Sequence, residues 1–250
     1  MPQSTERHPL PTDVDPSATE LAARVDHTLL KPEASREQIE ALCQEALDLG
    51  FASVCVNGVW TDLVAEKLRG SQVLTCTVVG FPLGASTPAA KAFEAEQAVG
   101  AGAQEIDMVI DVAAARAGNR GALEADVRAV AQVVHAGNAA LKVIIEACLL
   151  NDEQKVLACQ AAVAAGADYV KTSTGFSTGG ATIQDVTLMR QTVGEQIGVK
   201  ASGGVRTREA AVAMLRAGAS RIGASAGAAL LEKAAENPDD APAAGSSGGY

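Results

Sequence analysis

The sequence predicts an α/β protein whose single domain is a (β/α)8 TIM barrel, and three observations support this. Eight short runs rich in β-branched residues alternate with longer segments of helical character along the 250 residues, as in eight strand–helix units. The runs are apolar nearly throughout, which is typical of parallel strands buried on both faces. Three helical segments end in the same Ala-Gly-Ala junction. A doubly wound open sheet is the alternative, but no GxGxxG motif follows the first run to favour it.

The eight predicted strands are all short, and their composition limits what the core contains. Hydrophobic residues make up 48% of the chain but aromatic residues only 3%, so a core of Ala, Val, Ile and Leu is expected. Val, Ile and Thr suit the pleated, buried surface of a sheet. The predicted strands are Val25–Leu29, Ser53–Val56, Val73–Val79, Glu105–Ile110, Leu141–Glu146, Tyr169–Thr172, Val199–Ser202 and Ser220–Gly223.

The segments between the strands carry specific helix signals. The motifs that start at Ser35 and Asn151 resemble capping boxes, in which the first and fourth residues satisfy each other's backbone N–H groups. Thr87 precedes Pro88, which suits a proline at the first helical position. Glycines that close a helix in the left-handed conformation are expected at the other ends. They are Gly50, Gly102, Gly166 and Gly218.

The two ends of the chain differ in composition from the barrel, which is predicted to span residues 21–236. Residues 1–20 are polar and contain prolines, which predicts a flexible N-terminal leader without the apolar stretch of a signal peptide. Residues 237–250 are rich in Gly, Ser and Ala and predict a flexible C-terminal tail. No apolar run approaches the ~20 residues that cross a bilayer, so no membrane partner is expected.

Charge and cysteine usage narrow the function classes further. The formal net charge is -10 and no run of Lys or Arg occurs, so nucleic acid and anionic membranes are unexpected partners. The five cysteines are odd in number and form no CxxC pair, which is typical of reduced thiols and predicts a cytoplasmic location. The three histidines show no metal-binding spacing, so no metal and no other cofactor is predicted.

Ionisable residues near the carboxyl ends of the strands mark the candidate site, because active sites of such barrels lie at that face. Lys171 and Lys200 lie in adjacent predicted strands. Burial and a neighbouring cation lower the pKa of a lysine, and the neutral amine can form a Schiff base with a carbonyl compound. One lysine is therefore the predicted nucleophile and the other lowers its pKa, but the residues alone do not say which. Asp107 is the predicted proton-transfer partner.

A structural interpretation of the same lysines is the alternative. Each lysine would then pair with a carboxylate, such as Asp107 or Glu146, and would only stabilise the fold. A lone lysine in an apolar strand would favour that interpretation. Two lysines at matching strand ends, each followed by Ser, Thr or Gly, favour catalysis.

Glycine-containing loops after strands 7 and 8 indicate a phosphate site. The loops read SGGVR from Ser202 and GASAG from Gly223, and phosphate sites in this fold commonly use these two loops. Glycines there let backbone N–H groups approach an anion. The alternative is that they only form tight turns. The candidate substrate and phosphate contacts are Thr172, Thr174, Gly175, Gly203, Gly204, Gly223 and Ser225.

Six motifs follow one another in the order of a known family. They are DHTLLKP (Asp26–Pro32), VVGFPLG (Val78–Gly84), EIDMVI (Glu105–Ile110), LKVIIEA (Leu141–Ala147), YVKTSTGF (Tyr169–Phe176) and KASGGVRT (Lys200–Thr207). Together they resemble the deoxyribose-phosphate aldolase family over about residues 21–236. The last two motifs are the most specific.

The resemblance implies a class I aldolase that needs no metal. Such an enzyme reversibly cleaves 2-deoxy-D-ribose 5-phosphate to acetaldehyde and D-glyceraldehyde 3-phosphate through a lysine Schiff base. It implies that Lys171 forms the Schiff base, that Lys200 lowers the pKa of Lys171, and that Asp107 relays protons with Lys200 and water. A phosphosugar is then the small-molecule partner. Barrels of this kind commonly self-associate, so a homo-oligomer, either dimer or tetramer, is expected.

Two features bear on how far the resemblance reaches. Ala226 stands where the family often has a second serine in the strand-8 loop, which removes one expected phosphate donor. Some members end in a tyrosine that assists proton transfer, and this chain ends in Tyr250. At ~3.3 Å per extended residue, the tail is long enough to bring Tyr250 to the barrel mouth. A tail without a catalytic role is the alternative.

Two other functions remain open beside this aldolase. One is a Schiff-base aldolase that acts on a different phosphosugar. The other is a phosphosugar-binding barrel without catalysis, which would keep the two glycine-containing loops but need not keep both lysines. The joint presence of Lys171, Lys200 and Asp107 favours catalysis over the second alternative.

Overall fold

Eight parallel strands form a closed barrel in the computed structural model, which describes residues 15–232. Each strand pairs with the next one in the chain, and the first pairs with the last. The predicted barrel fold is therefore confirmed. The strands are β1 (Val25–Leu29), β2 (Ser53–Val56), β3 (Leu74–Val79), β4 (Glu105–Val109), β5 (Ala140–Ile144), β6 (Tyr169–Lys171), β7 (Gly198–Ser202) and β8 (Arg221–Ala224).

An outer layer of helices alternates with the strands. Two helices, α5 and α6, follow β4, whereas β8 is followed within the described residues by a 3₁₀ turn at Ala228–Leu230. No helix within residues 15–232 has both the length and the apolar character needed to cross a bilayer. The helices are α1 (Ala18–Ala22), α2 (Arg36–Leu49), α3 (Thr61–Lys67), α4 (Pro88–Gly100), α5 (Val112–Arg116), α6 (Arg120–Ala136), α7 (Asp152–Ala164), α8 (Ile183–Val193) and α9 (Arg208–Arg216).

The predicted helix signals are confirmed at both ends of the helices. The capping boxes at Ser35 and Asn151 are both formed, each with the glutamine three residues on. Thr87 accepts a hydrogen bond from the Ala90 N–H at the start of α4. The four predicted closing glycines all adopt a positive φ, which an L side chain rarely adopts. The angles are 68° at Gly50, 100° at Gly102, 105° at Gly166 and 111° at Gly218.

Most strand ends lie within one residue of their predicted positions, and two boundaries differ by more. Helix α1 begins at Ala18, inside the predicted leader, because Ser17 and Glu20 form a capping box that orders this turn. Strand β5 ends at Ile144, before Glu146, which adopts a positive φ of 51°. Residues 1–14 and 233–250 lie outside the described residues. The flexibility of the leader and of the tail, and the role of Tyr250, therefore stay predictions.

The two faces of the barrel strands differ sharply in chemistry. Outward-facing side chains such as Val54, Ile106 and Val170 join one continuous apolar core with the helices. Interiors of such barrels are typically filled by Val, Ile and Leu, but here the interior is largely ionic. Seven charged side chains, each no more than 3% exposed, point inward. They are Asp26, Glu105, Asp107, Lys142, Lys171, Lys200 and Arg221.

Tyr169 fills the barrel interior one layer below Lys171. A Cβ atom at Gly198, its register partner on β7, would come within 1.9 Å of the tyrosine ring. The guanidinium carbon of Arg221 lies 6.0 Å from the centre of the same ring. Tyr169 is only 2% exposed. It therefore closes the interior toward the amino ends of the strands.

Candidate active site

The structure brings the three predicted catalytic residues together. Lys171 on β6 and Lys200 on β7 are register partners, so their side chains leave neighbouring strands at the same height. Asp107 reaches them from β4, and its Oδ2 lies 2.7 Å from the Nζ atom of each lysine. Pairing with Asp107 was also what the structural alternative predicted, so this contact alone does not separate the two interpretations.

Asp107 belongs to a larger ring of ion pairs that the sequence analysis did not predict. Each neighbouring pair in the ring is in contact. Lys171 is attached to the ring through Asp107 alone. In order, the ring consists of Asp107, Lys200, Asp26, Arg221, Glu105 and Lys142, and it closes again on Asp107.

The distances in this ring are those of charge-assisted hydrogen bonds. The Nζ atom of Lys142 lies 2.7 Å from Glu105 Oε2 and 3.0 Å from Asp107 Oδ1. The Nζ atom of Lys200 lies 2.5 Å from Asp26 Oδ2. Arg221 contacts both Asp26 and Glu105. Buried charges persist only when they are paired in this way.

The neighbouring charges outweigh burial in setting the protonation of the ring. Burial alone would raise the pKa of Asp107, but the three surrounding lysines hold it well below its ordinary value. Burial alone would lower the pKa of Lys200, but Asp107 and Asp26 raise it above its ordinary value. Lys200 therefore stays a cation at neutral pH, and its own pKa moves opposite to the direction expected for a reactive lysine.

The ring and the attached Lys171 together carry an imbalance of charge. The six ring members are three cations and three carboxylates, and the attached Lys171 is a fourth cation, so full ionisation of all seven groups leaves one positive charge in excess. An uncompensated charge in a buried, low-dielectric site is unfavourable.

The period-2 rule that found Lys171 could have found more of the ring. Glu105 and Asp107 alternate on β4, and Lys142 stands alone in an apolar run on β5. Both patterns place the polar side chain on the inward face of a strand. Glu146, by contrast, pairs with no lysine in the described part of the chain. It accepts hydrogen bonds from the backbone N–H and the hydroxyl of Thr174, at 3.2 and 2.5 Å.

A cavity of about 330 Å³ opens at the carboxyl ends of β1, β6, β7 and β8. Of the three interior lysines, Lys171 lines this cavity, whereas Lys142 and Lys200 do not. Most of the predicted contact residues line it as well. They are Thr174, Gly175, Gly203, Gly204, Gly223 and Ser225.

Thr172 differs from its predicted role. Its side chain is fully buried and is absent from the cavity lining. The hydroxyl donates to the carbonyl of Ser202 and accepts from its N–H, both at 3.1 Å. It thus ties β6 to β7, because two backbone groups of Ser202 already occupy it. The structure gives Thr172 a supporting position instead of a binding one.

Two exposed cations that the sequence analysis quoted but did not select also line the cavity. Lys31 follows β1 and Arg206 follows β7. Their position in the sequence could have identified them, because both lie in loops that follow a strand at the active face of the barrel. They supply positive charge that the predicted set of glycines and hydroxyls lacked.

Two glycines in the cavity wall have a steric requirement. Gly203 has a φ of 86°, and a Cβ atom there would lie 2.9 Å from the backbone of Gly180. A Cβ atom at Gly223 would lie 2.4 Å from the hydroxyl of Ser202 and 3.1 Å from Lys200. Gly223 therefore keeps backbone close to Lys200, and Gly203 keeps the cavity wall packed against Gly180.

Comparison with known proteins decides the family. The profile of the DeoC/LacD family aldolases matches residues 21–235. The chain belongs to the DeoC/LacD aldolase family. It is 61% identical over 221 residues to the deoxyribose-phosphate aldolase of Micrococcus luteus, which covers 86% of this chain and 96% of that protein. It is 60% identical over 210 residues to the enzyme of the same name from Lysinibacillus sphaericus, covering 84% of this chain and 94% of that protein.

A solved structure of this aldolase family agrees with the barrel. The tetrameric deoxyribose phosphate aldolase of Aeropyrum pernix superposes with a TM-score of 0.81 at 36% sequence identity. The match covers 86% of this chain and 91% of that one. The family resemblance and the barrel expected from the sequence are therefore confirmed.

Proposed function

We propose that the protein is a class I aldolase that reversibly cleaves 2-deoxy-D-ribose 5-phosphate to acetaldehyde and D-glyceraldehyde 3-phosphate. The observation that carries the proposal is the position of Lys171. Of Lys142, Lys171 and Lys200, it is Lys171 that lines the cavity. Its Nζ atom contacts the same Asp107 carboxylate that contacts Lys200. Family membership and the names of the relatives support the reaction.

Lys171 is the proposed Schiff-base nucleophile because its ammonium has the fewest carboxylate partners. Lys200 contacts two carboxylates and Lys142 contacts three, whereas Lys171 contacts Asp107 alone. Lys200, which remains a cation on the same carboxylate oxygen, disfavours a second ammonium beside it.

Asp107 and Lys200 are the proposed groups for proton transfer. In the synthetic direction, the protonated Schiff base of Lys171 draws electrons from the neighbouring carbon, and the proton of that carbon passes to Asp107 as the neutral enamine forms. Lys200 Nζ lies 2.7 Å from Asp107 and carries a proton to return. Water would complete the relay to the enamine carbon. Tyr250 is kept as a further proposed participant, and deletion of that residue tests it through proton exchange into acetaldehyde.

The cavity wall supports a phosphorylated substrate. Backbone N–H groups of the loops after β7 and β8 are the proposed phosphate donors, with the Ser225 hydroxyl beside them. We add Lys31 and Arg206 as the cations, because a phosphate dianion is held best where positive charge accompanies hydrogen bonds. Ala226 offers no hydroxyl, so Ser225 is the serine donor proposed for this loop.

Borohydride trapping tests the proposal. With deoxyribose 5-phosphate and borohydride, we expect a covalent adduct on Lys171 and loss of activity, and without borohydride we expect release of acetaldehyde. Lys171→Ala should abolish both trapping and release, while Lys67→Ala, which changes an exposed lysine on α3, should change neither. Activity should persist in chelator. No release and no trapping would overturn the proposal in favour of a binding protein. Trapping with only other phosphosugars would favour a different aldolase.

Two further parts of this proposal concern self-association and cellular location. We infer a dimer or tetramer, supported by the tetrameric relative from Aeropyrum pernix, and light scattering at assay concentration measures it. A cytoplasmic location stays a prediction from cysteine usage. The five cysteines, all of which lie within the described residues, are free thiols.

A further inference from the structure

Two cysteines face each other inside the barrel, next to Asp107 and Lys142. Cys55 on β2 and Cys76 on β3 are register partners, and both are fully buried. The Sγ atom of Cys76 lies 3.4 Å from Oδ1 of Asp107. Both sulfurs and one carboxylate oxygen of Asp107 lie within 4.8 Å of one another. The proposed mechanism uses neither sulfur.

We propose that Cys55, Cys76 and Asp107 form an inhibitory site for a soft divalent cation such as Zn²⁺ or Cd²⁺. Thiolates and a carboxylate are suitable ligands for Zn²⁺, with bonds of about 2.3 Å to sulfur and about 2.0–2.2 Å to oxygen. Tetrahedral geometry with such bonds places two sulfurs about 3.8 Å apart. The observed ligand separations reach that spacing with small side-chain movements, and a water completes the coordination.

The charge of the barrel interior also permits this binding. The cation replaces the two thiol protons, which leave to solvent, so the net charge of the site does not change. The Nζ atom of Lys142 lies 3.4 Å from the Cys76 sulfur and 3.0 Å from Asp107 Oδ1. It would move away from both atoms and keep its 2.7 Å pair with Glu105. A cation held without thiolates would meet an interior that already carries excess positive charge.

The sulfurs lie directly beneath the rim of the barrel. Both pack in a small apolar cluster with Leu30 and Val78. Leu30 also lines the active-site cavity, so this cluster borders the cavity. The other three cysteines stand apart from this cluster, and Cys159 on α7 is a buried thiol without a cysteine partner among the described residues.

Occupation of the site would stop the proposed reaction at its proton-transfer step. A carboxylate oxygen that coordinates a cation is a weaker proton acceptor. Asp107 would therefore no longer take up the proton released on enamine formation. This consequence rests on the proposed function, but the binding itself does not.

Titration of the full chain with Cd²⁺ alone tests the inference. We expect one equivalent to bind, seen as sulfur-to-cadmium charge-transfer absorption, with a loss of acetaldehyde release of about tenfold or more that chelator restores. Cys55→Ala and Cys76→Ala, made separately, should each lose the tight absorption signal. Cys159→Ala should keep it. Each variant is compared with its own rate in chelator, and circular dichroism checks its fold.

The outcomes separate the two proposals. Absence of the charge-transfer signal in the unaltered chain, or its persistence at full strength in the folded Cys55→Ala or Cys76→Ala chain, would overturn the site. A normal signal in a chain that never releases acetaldehyde would support the site and overturn the aldolase. Binding without inhibition would overturn the inhibitory role of the site.

Discussion

Two buried lysines, Lys91 and Lys171, contrast a structural ion pair with the ion pair that we propose to be reactive. Lys91 on α4 is fully buried and lies 2.7 Å from Asp126 on α6, which also accepts the N–H of Asp111 at 3.0 Å. One cation thus meets one carboxylate. Asp107 instead meets three lysines, and one of them lines a cavity. Burial alone therefore does not distinguish Lys171 from Lys91. The proposal for Lys171 rests on the number of lysines around one carboxylate and on the cavity beside it.

The two carboxylates respond to their surroundings in opposite directions. Burial raises the pKa of Asp126, and its single lysine only partly offsets that effect. At Asp107 burial acts in the same direction, but three lysines reverse it and the pKa falls well below its ordinary value. The number of cations per carboxylate decides the sign.

The largest expected effect comes from Asp107→Asn. Loss of proton transfer should reduce kcat by about 10²–10⁴-fold, the usual contribution of a general acid or base. Asp126→Asn is the matched change in the structural pair and should leave kcat within about twofold once the folded fraction is equal. Steady-state acetaldehyde release measures both. Equal losses of kcat in the two folded variants would contradict the proposal that Asp107 acts in catalysis and Asp126 only in a structural ion pair.

Lys91→Met should reduce the stability of the protein and leave its activity unchanged. Removal of the lysine leaves the Asp126 carboxylate buried without its cation, which costs about 3–5 kcal/mol of unfolding free energy. Denaturant titration measures the loss, and kcat of the folded variant should not change. Lys91→Met combined with Asp126→Leu should recover part of the stability, since no unpaired charge remains. A large fall in kcat would contradict a purely structural role.

Lys31→Ala tests the cavity side of the comparison. Loss of one charge-assisted contact of about 1.4 kcal/mol should raise KM for deoxyribose 5-phosphate about tenfold. The unphosphorylated sugar, 2-deoxy-D-ribose, should be cleaved with unchanged kcat/KM. Lys67→Ala removes the same charge from a surface helix and should affect neither substrate. An equal effect of Lys31→Ala on both sugars would remove Lys31 from phosphate binding.

The smallest expected effect is a difference in carboxyl titration. In carbon-13 spectra, Asp107 should remain ionised below the ordinary aspartate pKa of about 3.9, whereas Asp126 should take up its proton above that value. The stability that Asp107 contributes is therefore present above about pH 3.9 and is lost as the pH falls through its folded pKa. For Asp126 the sign is opposite, and stability falls as the pH rises from about 3.9 through its folded pKa. Equal titration of the Asp107 and Asp126 carboxyl groups would contradict the conclusion that the number of neighbouring cations sets the direction of the pKa shift.

Local patterns in the sequence predicted the barrel because its elements depend on local rules. Capping residues, closing glycines and β-branched runs each act within a few positions, and the structure reproduces them with shifts of one or two residues at the strand ends. The error at Glu146 arises where the chain departs from local rules. Glu146 leaves the strand with a positive φ, and its side chain bonds to Thr174, 28 residues away, a contact that no local pattern contains.

The candidate site was only partly predictable, because its ion pairs cross the barrel. Asp107 and Lys200 are 93 residues apart and lie on strands that do not pair with each other. The sequence placed both at the same end of the barrel, but it did not show that one carboxylate serves three lysines. Thr172 was misplaced for a related reason, since its hydroxyl binds a neighbouring strand instead of facing the cavity. The choice of Lys171 as nucleophile needed the family resemblance and is supported by the cavity.

Tyr169 fills the barrel interior beneath the lysines, so we expect substrates to reach Lys171 through the cavity at the carboxyl ends of the strands. In the synthetic direction, we expect compulsory order: acetaldehyde must reach Lys171 first, because a phosphorylated acceptor already seated in the 330 Å³ cavity would bar its way. In the cleavage direction the phosphorylated fragment must leave before the two-carbon fragment is freed. Because both aldehydes would pass through the same cavity opening, the geometry would fix the order in which they bind and leave.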